Sequence, residues 1–228
     1  MGGIALIYIT GDMHADLKRF DKISLRKRDT LIVCGDFGFL WDGGEKEEKI
    51  LKKIGSKRFK TFFIDGTHEN FDLLENYETT LFKNAKIKNI YKNLNYIKRG
   101  QVIEIENRKI FCFGGGESTD REMRKDSNKW WKEEMPSAED LKSAIESLKF
   151  FNGKVDYMVT HEPPEFIKML IIAENESMEN STVNMLNKFF ADLAKNTGYK
   201  KWYFGSMHLN KAVPPKYVAL FNRVIKAD

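Results

Sequence analysis

The chain has 228 residues, 42% of them hydrophobic and 31% charged. Those proportions exclude wholesale disorder and suit one domain spanning 1–228 around a substantial core. Its 38 basic and 33 acidic residues leave a net charge of +5. That excess is too mild to mark a dedicated nucleic-acid binder, yet it is compatible with an anionic ligand.

Cys34 and Cys112 each sit inside an apolar run, LIVC and IFCF. Two cysteines in so long a chain read as buried free thiols, not as a disulfide framework. The run IALIYI is too short to cross a membrane, and no basic stretch precedes it; no membrane is expected and the cytoplasm is the expected setting. Gly2 suits N-myristoylation, but Leu6 stands where that signal requires Ser or Thr.

In chain order, short runs rich in β-formers predict strands over 4–9, 30–34, 61–64, 101–105, 109–113, 155–160, 201–204 and 217–221. Helical patterns fall over 45–55, 69–76, 138–150 and 179–195. The signal is clearest at 138–150, where Ser137 precedes Asp140 by three in the manner of a capping box. Glu106-Asn107-Arg108 separates two strand runs and reads as a hairpin turn. Residues 114–136 read as a long loop or partial helix over one end of a sheet. Gly114–Gly116 is not a P-loop, because no Gly-Lys-Ser/Thr follows it. Alternating strands and helices with an intervening hairpin imply an α/β protein with mixed sheets.

The four histidines, His14, His68, His161 and His208, each stand just beyond a strand-like run, in YITGDMH, FFIDGTHEN, YMVTHEPP and WYFGSMH. A fifth string, LIVCGDFG, ends its run on Asp36. Ligands collect at the carboxyl ends of strands in open α/β sheets, so these five clusters can converge. Taken singly, each histidine reads as a solvated or hydrogen-bonded residue, and each Gly-Asp as a turn. Together, carboxylates and imidazoles form a ligand set for manganese, iron or zinc.

In order, Asp-x-His, Gly-Asp, Gly-x-His-Glu, His-x-Pro-Pro and Gly-x-x-His resemble the calcineurin-like metallophosphoesterase family. The match runs from Gly11 to His208. The resemblance implies two mixed β-sheets packed as a sandwich and flanked by helices in four layers. It also implies hydrolysis of a phosphomonoester or phosphodiester by a metal-activated hydroxide. By that resemblance Asp12, His14 and His208 hold a first metal, Asp36 bridges to a second, and His161 binds the second. His68 protonates the leaving group or steadies the phosphate, with Glu69 or Asp65 to orient it. Manganese is the first expectation for the metal, with iron and zinc also fitting.

Two positions depart from the pattern: Thr67 stands where the family has Asn, and Ser206 where it has His. Both belong to the second metal, and neutral hydroxyls are weak ligands for a divalent ion. The expectation is one tight site, a weak or absent second, and reduced activity. The alternative is a protein of this fold that binds a phosphorylated ligand without turnover.

For substrate contacts, Arg121 and Arg124 are candidates to hold phosphate, and Trp130 or Trp131 to stack on a base. The solvated or core-capping reading of each stands beside these. GDFGFLWDGG and FFIDGTHE contain no arginine, which counts against a phosphoprotein phosphatase. A small phosphorylated substrate remains, a nucleotide among the candidates. Nucleic acid is not favoured, and the sequence does not speak to oligomeric state.

Overall fold

The run at the N-terminus folds into β1 (Ile7–Thr10), and β2 (Thr30–Val33), β3 (Lys60–Phe63) and β6 (Leu94–Ile97) join it as parallel neighbours. β5 (Ala85–Tyr91) and β4 (Thr79–Phe82) extend this sheet antiparallel beyond β6, and β13 (Val224–Lys226) closes its other edge. The strand order is β13-β1-β2-β3-β6-β5-β4. A second sheet holds β7 (Gln101–Ile105), β8 (Arg108–Phe113), β9 (Tyr157–Thr160), β10 (Lys201–Phe204), β11 (Lys211–Val213) and β12 (Tyr217–Ala219), in the order β11-β12-β10-β9-β8-β7. This computed structural model describes residues 4–175, 178 and 181–228. Gly2 and the first two residues of the helix expected over 179–195 lie outside them.

Period-two alternation sorts the side chains into layers. Ile7, Ile9, Ile32, Cys34 and Ile64 face Ile103, Ile110, Cys112, Tyr157 and Val159 across the two sheets. From β2, Leu31 and Val33 point the other way, toward α1 (Leu17–Asp21) and α2 (Glu45–Gly55) through Phe20, Leu51 and Ile54. On the far face Phe111, Phe113, Trp202 and Phe204 pack against α5 (Ala138–Phe150), α6 (Glu165–Ala173) and α7 (Met185–Asn196). The result is helix, sheet, sheet, helix, the four-layer α/β sandwich expected. Cys34 and Cys112 are free and buried in its centre. No helix among the described residues is long and apolar enough to cross a membrane.

Local chemistry explains most boundaries. Ser137 Oγ accepts from Asp140 N, and Asp140 returns a bond to Ser137 N, so α5 begins with the capping box. The hairpin turn is tighter than expected. Arg108 already belongs to β8, and Glu106 and Asn107, at φ 48° and 59°, form a two-residue turn. Strands β4 to β6, β11 and β13 and helices α1 and α6 were not expected. In β5 the lysines blur the alternation, yet Lys88 is buried and its Nζ donates to the Leu74 carbonyl at 2.9 Å. Residues 114–136 contain α4 (Arg121–Asp126) and a 3-10 turn at Lys132–Glu134.

Candidate metal centre

The carboxyl ends of β1, β2 and β3 from one sheet meet those of β9 and β10 from the other. Asp12, Asp36, His68, His161 and His208 follow these strands within a few residues. One donor atom from each of Asp12, His14, Asp36 and His208 lies within 4.8 Å of the others. The backbone here is unusual. His14, Asp36, Ser206 and His208 all adopt positive φ, between 42° and 48°, a region costly for side-chain-bearing residues and concentrated at functional sites. Loops are pinned together to hold it: the Asp36 carbonyl accepts from both Met13 N and His14 N, at 2.9 and 2.8 Å.

Glycine makes room for the donors. A Cβ on Gly205 would stand 2.1 Å from Asp12 Oδ1, and one on Gly35, at φ 94°, would stand 2.2 Å from His161 Nδ1. No other residue fits these two positions.

The donor set fits a divalent cation. Asp12 Oδ2 is buried without a hydrogen-bond partner among the described residues, and His208 Nε2 stands 3.1 Å from it. His14 Nε2 and His208 Nε2 lie 3.0 Å apart, while His14 Nε2 is 3.7 Å from Asp36 Oδ2. Two imidazole nitrogens aimed at each other, each beside a buried carboxylate, suit a shared cation. Burial works against ionised carboxylates here, but His161 and His208 hold Asp12 below the ordinary range. His161, His68 and His14 do the same for Asp36. Both stay acceptors.

His161 is buried on the other side of Asp36. Its Nδ1–H donates to the Cys34 carbonyl at 3.0 Å, which sets Nε2 toward Asp36 Oδ1 at 3.6 Å. Asp36 Oδ1 also accepts from Thr67 N and His68 N at 2.6 and 2.9 Å. Asp36 Oδ2 takes His68 Nδ1–H at 2.8 Å. That bond to Asp36, working against burial, raises the His68 pKa, and it leaves Nε2 as the ring nitrogen available to the cleft. Ser206 Oγ is buried and unpartnered, although Ser206 N donates to Asp12 Oδ1 at 3.1 Å. Thr67 Oγ1 lies 3.0 Å from His68 Nδ1. The half of the site around His161 thus offers hydroxyls where the half around Asp12 offers carboxylates and imidazoles.

Several expected partners are placed elsewhere. Glu69 does not orient the His68 ring. It bridges loops, with Oε1 accepting from Phe37 N at 2.6 Å and Oε2 from Gly66 N at 3.1 Å. Burial and the nearby charge of Asp36 push its carboxyl up to about 8. Asp65 accepts from Tyr96 Oη at 2.8 Å and Arg99 Nε at 2.8 Å, and Asp36 with Thr67 contacts His68 instead. Neither Arg121 nor Arg124 lines the cleft. Arg121 lies over the Trp130 ring at 4.5 Å. Arg124 is buried and commits its guanidinium to Asp120, the Thr67 carbonyl and Glu134 at 2.9, 2.8 and 2.7 Å. Trp131 donates to Asp72 at 2.8 Å and packs edge-on against Trp41. Trp41 in turn stacks near His68, with ring centroids 6.3 Å apart, a neighbour that no sequence signal announced.

The family model described as calcineurin-like phosphoesterase matches residues 5–209. The chain belongs to the calcineurin-like phosphoesterase family. Family membership makes it a metal-dependent phosphoesterase in the general sense, a hydrolase whose fold carries divalent ions. Among solved structures, this phosphoesterase is similar to the phosphopantetheinyl hydrolase of Mycobacterium tuberculosis. That likeness has 12% identity and a TM-score of 0.48, and covers 97% of this chain and 91% of that one. No curated protein matches the sequence.

Proposed function

We propose that this chain hydrolyses a small phosphate ester with one divalent cation held tightly by Asp12, His14, Asp36 and His208, and a second held weakly beside His161. The observation that carries the reading is the convergence of these four donors within 4.8 Å on backbone that strains to present them. A bound divalent cation supplies Lewis acidity and acidifies water at neutral pH. Manganese is the metal to load first, and iron or zinc suits the same donors.

The chain's own residues divide the remaining work. Asp36, with both oxygens engaged by Thr67 N, His68 N and the His68 ring, fixes the loop that carries His68. His68, its pKa raised by its hydrogen bond to Asp36, delivers a proton from Nε2 to the departing alcohol. Glu69 keeps the loops bearing Asp36 and His68 in register through Phe37 N and Gly66 N. Thr67 and Ser206 weaken the second position. Their hydroxyls cannot replace the amide and imidazole that the family pattern places there.

A second reading, ligand capture without turnover, draws on the same feature. Asp36 Oδ2 is already taken by His68, and Ser206 Oγ makes no bond. Hydrolysis of a panel of phosphomonoesters and phosphodiesters by manganese-loaded protein decides between them. Metal-dependent turnover that Asp12→Ala abolishes supports the enzyme. Phosphate binding without release of the alcohol supports the second reading.

A further inference from the structure

The cleft beside the metal centre has a volume near 540 Å³, and its charges are lopsided. Lys168 is the one lysine or arginine among the described residues that line it, whereas Glu117, Asp120 and Glu162 join Asp36 there. Lys168 is also already spent. It is buried, and its Nζ donates to Glu162 Oε2 at 2.8 Å and lies 3.4 Å from Asn187 Oδ1. Asn187 fixes the pair by donating to Glu162 Oε2 at 2.9 Å and to the Pro163 carbonyl at 2.8 Å. Among the described residues Glu162 commits Oε2 alone to this cluster, which leaves Oε1 as an acceptor at the cleft wall.

Asp120 likewise gives Oδ1 to Arg124, and Glu117 is exposed. The chain's net charge of +5 therefore lies elsewhere. Once the metal centre has neutralised the phosphate that reacts, the wall that the alcohol part meets presents carboxylates and hydroxyls such as Thr119 and Ser181. Glu162 and Asp120 are ion-paired with Lys168 and Arg124, so among the described residues Glu117 carries the unpaired charge of that wall. With His68 turned to the reacting phosphate, a second phosphate or a carboxylate meets like charge and no free lysine or arginine among the described lining residues.

We infer that this cleft selects phosphate esters whose alcohol part is uncharged or cationic and turns away those carrying a second anionic group, an inference that rests on the phosphoesterase reading of the same site. Nucleoside polyphosphates fall on the rejected side. Amino alcohol and polyol phosphates fall on the accepted side, because ammonium and hydroxyl groups donate to Glu162 Oε1 and its neighbours.

The test is calorimetric titration of manganese-loaded protein with phosphoethanolamine, glycerol 3-phosphate and 3-phosphoglycerate, three small monoesters differing chiefly in charge. Release of phosphate is followed in parallel. The inference expects the first two to bind at least about tenfold tighter than phosphoglycerate. Glu117→Lys should narrow that gap by about two- to fivefold, the scale of one exposed charge pair. Glu162→Gln should narrow it further by releasing Lys168. Equal or tighter binding of phosphoglycerate overturns the inference, as does failure of all three to bind, or a gap that neither variant narrows. The predicted order without phosphate release upholds the charge selection and removes the catalytic reading. Phosphate release without the order does the reverse.

Discussion

Arg124 donates from Nη1 to the Thr67 carbonyl at 2.8 Å, which ties the segment over the cleft to the residue just before His68. The same guanidinium reaches Glu134 Oε1 at 2.7 Å, and Glu134 Oε2 accepts from Ser118 Oγ at 2.7 Å. All of these groups are buried. The arginine expected to touch phosphate instead fastens the wall of the cleft to the loop that carries His68.

Arg124→Ala should therefore cost about 3 kcal/mol, because it leaves the Glu134 carboxylate buried and unpaired. It should also lower kcat more than it raises KM, since the His68 loop loses an anchor. Urea unfolding and steady-state kinetics measure the two effects. An unchanged unfolding midpoint would mean that this network does not hold the loop.

Thr67→Asn and Ser206→His together restore the donor types of the family pattern beside His161. The double variant should bind a second metal and raise turnover on the order of 10²-fold. Metal analysis and kinetics report these separately. A second bound metal with no gain in rate would mean that the substitutions are not what limits catalysis.

Asp12→Ala or His208→Ala should each lower metal content and thermal stability together, because a ligand bound only by the folded state stabilises it. Chelation of the wild-type protein should lower its Tm in the same direction, and added manganese should reverse the change. Full metal content and unchanged Tm in both variants would contradict the donor assignment.

Acid stability has its own handle away from the metal. Burial tends to raise Asp29, but the Arg26 guanidinium and the amides of Leu6 and Arg26 outweigh it and hold the carboxyl below its ordinary 3.8. A depressed folded-state pKa stabilises the protein above the unfolded value, and that stability is lost as pH falls through the folded value. Asp29→Asn should thus cost about 2 kcal/mol at neutral pH, with the deficit shrinking below about pH 4. Unfolding curves at pH 7 and pH 3 test the sign. A deficit that stays constant across that range would rule out the Asp29 charge as its source.

Much of this architecture could be read from sequence, for physical reasons that also explain the gaps. The donors were legible because each follows a short run of β-formers, and parallel strands of two sheets bring those ends to one place. The helix α5 was legible because its cap is local. Helix α6 was not, since a nearly continuous apolar stretch after two prolines carries no clear helical period, and its one lysine, Lys168, is buried beside Glu162. Strands β4 to β6 hid behind lysines, one of them buried against the Leu74 carbonyl. The contacts of Asp65 with Arg99, of Glu69 with Phe37 N and of Arg124 with the Thr67 carbonyl each join residues more than thirty apart in sequence. No local pattern announces a contact of that range.

Metal stoichiometry is the most direct test of the central claim, a strong site at Asp12, His14, Asp36 and His208 beside a weakened one at His161. Protein purified without chelator and reloaded with excess manganese should retain one tightly bound metal per chain after desalting, and Asp12→Ala should retain none. Two tightly bound metals per chain in the wild-type protein, or none at all, would contradict the account.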